Sequence, residues 1–233
     1  MRTTSLQEAC AMIPDGASVM IGGFMGVGSP ERLIDELVRQ GKRRLTVIAN
    51  DTAWPGRGIG KLVDAGLVSR TIASHIGLNP ETQRQMIAGS MEVDLVPQGT
   101  LIERIRAAGY GLGGVLTPTG VGTVVEEGKQ RIEVEGKSYL LETALRADFA
   151  LVHAFLADYL GNLSYALTAR NFNPIMATAA KVTIAEVEHL VEPGAIDPDT
   201  VVTPGIFVRH VVVSSGYEKK IEKRTIRRAD GQA

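Results

Sequence analysis

The sequence predicts an α/β protein with three layers: a mostly parallel sheet, helices on both faces, and an antiparallel hairpin excursion. Three observations carry this expectation. Apolar runs and amphipathic stretches alternate at short spacing along the chain, the pattern of a sheet built from strand–helix units. Residues 128–141 interrupt it, alternating in period two around Gly136, as a hairpin does. Finally, Gly22, Gly23, Gly26 and Gly28 lie between the first apolar run and the first strong helical pattern. In open sheets of this class, ligands bind beyond the carboxyl ends of the strands.

The elements follow in order. Pro14-Asp15-Gly16 signals a turn, and Ser18-Val19-Met20-Ile21-Gly22 reads as a short buried strand. Leu33, Ile34, Leu37 and Val38 share one face of a helix over 30–40. Ser29 is placed to cap that helix, Pro30 suits its first position, and Glu31 complements its positive end. Further strands are expected at 45–49, 69–73, 92–96, 149–153, 181–187 and 210–214, and helices at 58–66, 80–89, 99–108 and 173–180. Residues 1–217 read as one domain. Residues 218–233 form a basic tail, with six basic residues against two acidic ones between Glu218 and Arg228, and read as a solvated, partly disordered end.

Composition narrows the function. A chain of 233 residues, 44% hydrophobic and 22% charged, is ordinary for a domain of this class. A net charge of −1 gives no field favouring nucleic acid or an anionic membrane. The one cysteine, Cys10, makes no internal disulfide and fits a reducing compartment. The N-terminus lacks an apolar signal core and no run reaches ~18 apolar residues, so a cytoplasmic protein is expected. His153, His189 and His210 lack metal-ligand spacing, and no metal site is expected.

Several tempting motifs fail on spacing or context. A dinucleotide fingerprint starting at Gly26 would need glycine where Glu31 stands, and a P-loop ending at Gly136-Lys137-Ser138 would need glycine where Arg131 stands. Gly109-Tyr110-Gly111-Leu112-Gly113-Gly114 has the literal fingerprint, but it follows a helical pattern instead of preceding one. It reads as a glycine-rich loop. Ser74, His75 and Asp51 suggest a hydrolase triad. Neighbours on a strand point oppositely, however, and no nucleophile elbow is present.

What remains is a rim of small and polar residues where apolar runs end: Gly22-Gly23-Phe24, Asn50-Asp51, Ser74-His75, Gln98-Gly99-Thr100 and His153. The glycines either make only a tight turn or let the backbone approach an anionic ligand, with the helix N-terminus lending its dipole.

Asp15-Gly16, the apolar run and then Gly-Gly-Phe-x-x-x-Gly-x-Pro resemble the signature of the α (A) subunits of family I coenzyme A transferases. The likeness extends through Ala49-Asn50-Asp51-Thr52-Ala53, Ala73-Ser74-His75-Ile76-Gly77, Leu95-Val96-Pro97-Gln98-Gly99-Thr100, Thr117-Pro118-Thr119-Gly120-Val121-Gly122-Thr123, Gly161-Asn162-Leu163 and Ala169-Arg170-Asn171-Phe172-Asn173-Pro174. The acetate/acetoacetate branch is the nearest in pattern; the 3-oxoadipate and succinyl-CoA:3-oxoacid branches stand further off.

The resemblance implies a coenzyme A transferase-like fold. It also implies a CoA thioester as substrate and no permanently bound cofactor. In that family the nucleophile is a glutamate in a Ser-Glu-Asn-Gly motif of the β subunit. No such motif occurs here, so catalysis is expected to need a β partner, and Glu126 and Glu127 read as structural or rim charges. The resemblance assigns Gly22, Gly23, Phe24, Met25, Gly26, Val27 and Gly28 to CoA or to the oxyanion. Phe24 either walls the acyl or pantetheine slot or supports the turn. Asn50, Gln98 and Gly99 are further rim candidates. The glycine-rich loop at 109–122 is expected near the active-site cleft. The alternative of another class is a stand-alone acyl-CoA- or sugar-phosphate-binding protein.

Overall fold

The computed structural model describes residues 1–214; the boundary at 217 and the basic tail at 218–233 lie outside the described residues. In chain order the elements are β1 (Arg2–Thr3), α1 (Leu6–Ala11), β2 (Ser18–Ile21), α2 (Glu31–Gln40), β3 (Leu45–Asp51), α3 (Gly60–Asp64), β4 (Val68–His75), α4 (Pro80–Ile87), β5 (Glu92–Leu95) and α5 (Gln98–Gly109). There follow β6 (Gly114–Thr117), β7 (Arg131–Val134), β8 (Lys137–Thr143), β9 (Ala147–Asp158), β10 (Leu163–Ser164), α6 (Asn173–Met176), β11 (Ala180–Val191) and β12 (His210–Val213).

The main sheet runs β5-β4-β3-β2-β9-β11-β12-β1. All of these pairs are parallel, and only the short β10 joins antiparallel, on β9. Side chains alternate across it, as period two demands. Val19 and Ile21 pack with Leu33, Ile34 and Leu37 of α2 and Leu62 and Val63 of α3 on one face. Met20 and Ile48 pack with Leu101 and Ile105 of α5 and Met176 of α6 on the other. Strands buried on both faces are why the apolar runs are continuous.

The expected hairpin is present. β7 pairs with β8 about Glu135-Gly136, whose φ values of 51° and 73° give the mirror-image turn that matches strand twist. β6 adds to its other edge as a third antiparallel strand.

Two helices are four residues shorter than expected. α3 covers 60–64 rather than 58–66, because Gly58 at φ 48° enters it from outside the helical region. α6 covers 173–176 rather than 173–180. The amides of Thr178 and Ala179 reach back only three residues, and the chain enters β11 at Ala180.

The 109–114 part of the glycine-rich loop lies at the opposite end of the strands from Gly22–Gly28. Gly109 closes α5 against Thr178, just before β11 begins. β6 then pairs with β8, which leads into the start of β9. This region therefore sits at the amino ends of the strands, across the sheet from Gly22–Gly28. Among the described residues, no helix is long and apolar enough to cross a membrane.

Candidate functional site

At the carboxyl end of β2 the chain turns back on itself at once. Phe24 and Val27 exchange both backbone hydrogen bonds, at 3.0 and 2.9 Å, around Met25-Gly26. Met25 and Gly26 have φ values of 51° and 88°, so the glycine stretch is a two-residue hairpin tip rather than an open cradle.

Two asparagines press against it. Asn173 is fully buried; its Nδ2 donates to the carbonyls of Gly28 and Ala169, both at 2.9 Å, while its Oδ1 accepts the His153 amide. The Asn173 carboxamide occupies the space where a side chain on Gly22 would stand. Asn171 donates to the carbonyl of Val27 at 3.0 Å.

The helix behind the turn departs from expectation. Pro30, not Ser29, occupies the N-cap position of α2, without a side-chain cap bond. The amides of Arg32 and Leu33 donate instead to the carboxylate of Glu186 on β11, at 3.3 and 2.9 Å. Two of the amides left free at that end of the helix are thereby taken by a side chain of the chain itself. Among the described residues the amides of Gly23, Gly26 and Gly28 carry no intrachain hydrogen bond.

The rim candidates come together beside the hairpin. Asp51, at the end of β3, accepts the Met25 amide at 2.8 Å, the Ala53 amide at 2.7 Å and Asn50 Nδ2 at 2.7 Å. Asn50 Oδ1 accepts from Gln98 Nε2 at 2.7 Å and lies 3.0 Å from Ser74 Oγ. Asn50 is buried, whereas Gln98 and Gly99, at the start of α5, are exposed. α5 opens after Pro97 with no side-chain cap.

No triad forms. Ser74 Oγ donates to Asn50, Asp51 is taken by its three donors, and His75 is exposed. Glu126 is a structural charge, accepting the Gly122 amide at 2.6 Å within its own loop. No cluster of His, Cys, Asp and Glu that could hold a metal is found among the described residues.

Phe24 is 39% exposed and is no core aromatic. With Val27, Thr168, Arg170 and Asn171 it lines an open recess of about 540 Å³ beside the hairpin. Sequence reasoning left Asp51, Ser74, Asn171, Asn173 and Glu186 without these roles. The signals available were an acidic residue inside an apolar strand (Glu186) and two asparagines at a proline-marked turn (Asn171 and Asn173).

A parallel sheet covered on both faces, with a glycine hairpin and a chain of carboxamides at its carboxyl edge, defines an α/β protein of the class whose ligands bind beyond the carboxyl ends of the strands. Residues 3–214 match the coenzyme A transferase family, and the chain belongs to it. It is 58% identical over 210 residues to the α subunit of the acetate CoA-transferase of Escherichia coli (strain K12), covering 90% of this chain and 96% of that one. It is 48% identical over 229 residues to the A subunit of the probable succinyl-CoA:3-ketoacid coenzyme A transferase of Bacillus subtilis (strain 168), covering 98% and 96%. The crystal structure of the acyl-CoA transferase YdiF from E. coli O157:H7, in a thioester complex with CoA, superposes with a TM-score of 0.81 at 26% identity. That match covers 91% of this chain and 47% of the other, so this chain spans about half the length of YdiF.

Proposed function

We propose that this chain is the α half of a heteromeric transferase that moves CoA between a short-chain acyl-CoA, such as acetyl-CoA, and an acid such as acetoacetate or butyrate. The observation that carries the reading is the 58% identity to an acetate CoA-transferase α subunit over nearly the full length of both chains. The half-length match to YdiF supports a partner that supplies the remainder of the site.

The nucleophile is a glutamate of the β partner, in its Ser-Glu-Asn-Gly motif. Its carboxylate attacks the thioester carbonyl, forming an acyl-glutamyl anhydride and releasing CoA thiolate. The thiolate attacks the glutamyl carbonyl, giving a glutamyl-CoA thioester and freeing the first acid. The acceptor carboxylate then reverses both steps, and the glutamate is restored. This chain contributes the surroundings. The unpartnered amides of Gly23, Gly26 and Gly28 face the CoA thioester, where a donor to the developing oxyanion is worth ~3 kcal/mol of barrier. Phe24 and Val27 wall the acyl and pantetheine slot, and Gln98 and Gly99 border it.

The test is CoA transfer by the reconstituted pair against acetoacetate, butyrate, succinate and 3-oxoadipate. Highest kcat/KM with the short monocarboxylic acids supports the reading. Preference for succinate or 3-oxoadipate moves the chain to the 3-oxoacid branches. No transfer to any acid favours a non-catalytic acyl-CoA-binding protein.

A further inference from the structure

We propose that Asp51 and Asn50 are positioning residues that fix the hairpin tip and the Gln98 carboxamide relative to each other, through one shared carboxylate oxygen. The proposal rests on the function given above, since it assigns both groups to the substrate. The argument is one of hydrogen-bond polarity. Three donors converge on Asp51, and Oδ2 alone takes both the Met25 amide at 2.8 Å and Asn50 Nδ2 at 2.7 Å. Asn50 must therefore turn its nitrogen toward Asp51 and its oxygen away. That oxygen accepts from Gln98 Nε2 at 2.7 Å and lies 3.0 Å from Ser74 Oγ, whose single hydroxyl proton makes its shorter bond, 2.7 Å, to the Asn50 backbone carbonyl.

Gln98 in turn spends one N–H inward. That bond fixes the orientation of the carboxamide of an exposed residue. A surface carboxamide is ordinarily free to flip; this one has its polarity set by a charge two side chains away. Asn50 and Asp51 are 2% and 4% exposed, against the exposed Gln98. They act through Gln98 and through the Met25-Gly26 tip.

Three variants separate the links. Asn50→Leu cuts Gln98 from Asp51 but leaves the Met25 tether. Asp51→Ala cuts both. Asp51→Asn keeps an oxygen toward Met25 and Asn50 by turning its NH2 toward Ala53, and so loses one bond of three. In the reconstituted α–β enzyme, Asn50→Leu is expected to lower kcat by ~10- to 100-fold with KM for acyl-CoA changed less than ~3-fold, the signature of misplaced rather than missing binding groups. Asp51→Ala falls further, and Asp51→Asn recovers most of the loss.

The second readout is the Gln98 side-chain amide resonance in the 15N-labelled chain. It is expected to shift and to lose exchange protection in Asn50→Leu and Asp51→Ala, and to stay near its wild-type position in Asp51→Asn. An unmoved Gln98 resonance in both disrupting variants would overturn the proposal, as would unchanged kcat in both. An inactive wild-type pair would defeat the proposed function instead, and the resonance would still decide whether the relay exists.

Discussion

The carboxylate of Glu186 on β11 accepts the amide of Leu33 at 2.9 Å, joining residues 153 positions apart at the start of α2. Glu186 is fully buried, and that burial pushes its carboxyl up to about 7 from the usual 4.5, against the lowering effect of the Leu33 and Arg32 amides. The folded state thus holds a proton that the unfolded chain releases earlier. Stability from this group is fully present below pH 4.5 and is lost as pH rises through 7. Between pH 5 and 8 the wild type is expected to lose about 2 kcal/mol more than Glu186→Gln. Urea unfolding of both proteins at the two pH values checks this, and equal losses would refute it.

Asn173 and Gly22 form a second coupled pair. Gly22→Ala drives a methyl group into the Asn173 carboxamide and is expected to cost about 1–3 kcal/mol by overpacking. Asn173→Ala removes the hydrogen bonds to the His153 amide and to the carbonyls of Gly28 and Ala169, at about 3 kcal/mol. Because the truncation removes the atoms that the new methyl would strike, the double variant should lose less than the sum. Thermal unfolding of the four proteins measures the coupling; strict additivity would contradict the contact.

The long strands were legible because burial on both faces makes each a continuous apolar run, and Val47-Ile48-Ala49 or Ala150-Leu151-Val152 cannot be read otherwise. The two-residue strands β1 and β10 carry no period at all. They exist only through their partners β12 and β9. α1 has six residues, too short for a clear apolar stripe, although its Ser5–Glu8 capping box is a local signal. The site divides in the same way. The glycine turn and the strand-end polar residues are local features, legible along the chain. Glu186 fills the helix end from a distant strand, and nothing near Pro30 announces it.

The hairpin turn offers a gain instead of a loss. Glu135 sits at φ 51°, a strained position for a long side chain that asparagine adopts readily. Glu135→Asn is expected to stabilise the protein by roughly 0.5–1 kcal/mol, read as a raised thermal midpoint. A lowered midpoint would argue against the turn geometry.

Cys10 is fully buried beside the Leu33 carbonyl, and burial pushes its thiol up to about 12. With almost no thiolate at neutral pH, it should resist iodoacetamide in the native protein and react fully in denaturant. Rapid native labelling, followed by intact mass, would show the α1–α2 contact to be open.

This chain is proposed to form half of a transferase site and to leave the nucleophile to its partner. Intact-mass analysis of the reconstituted pair, quenched during turnover with acyl-CoA, tests it most directly. A CoA adduct is expected on the β partner, lost when the glutamate proposed for its Ser-Glu-Asn-Gly motif is changed to alanine, and none on this chain. A CoA adduct on this chain would contradict it.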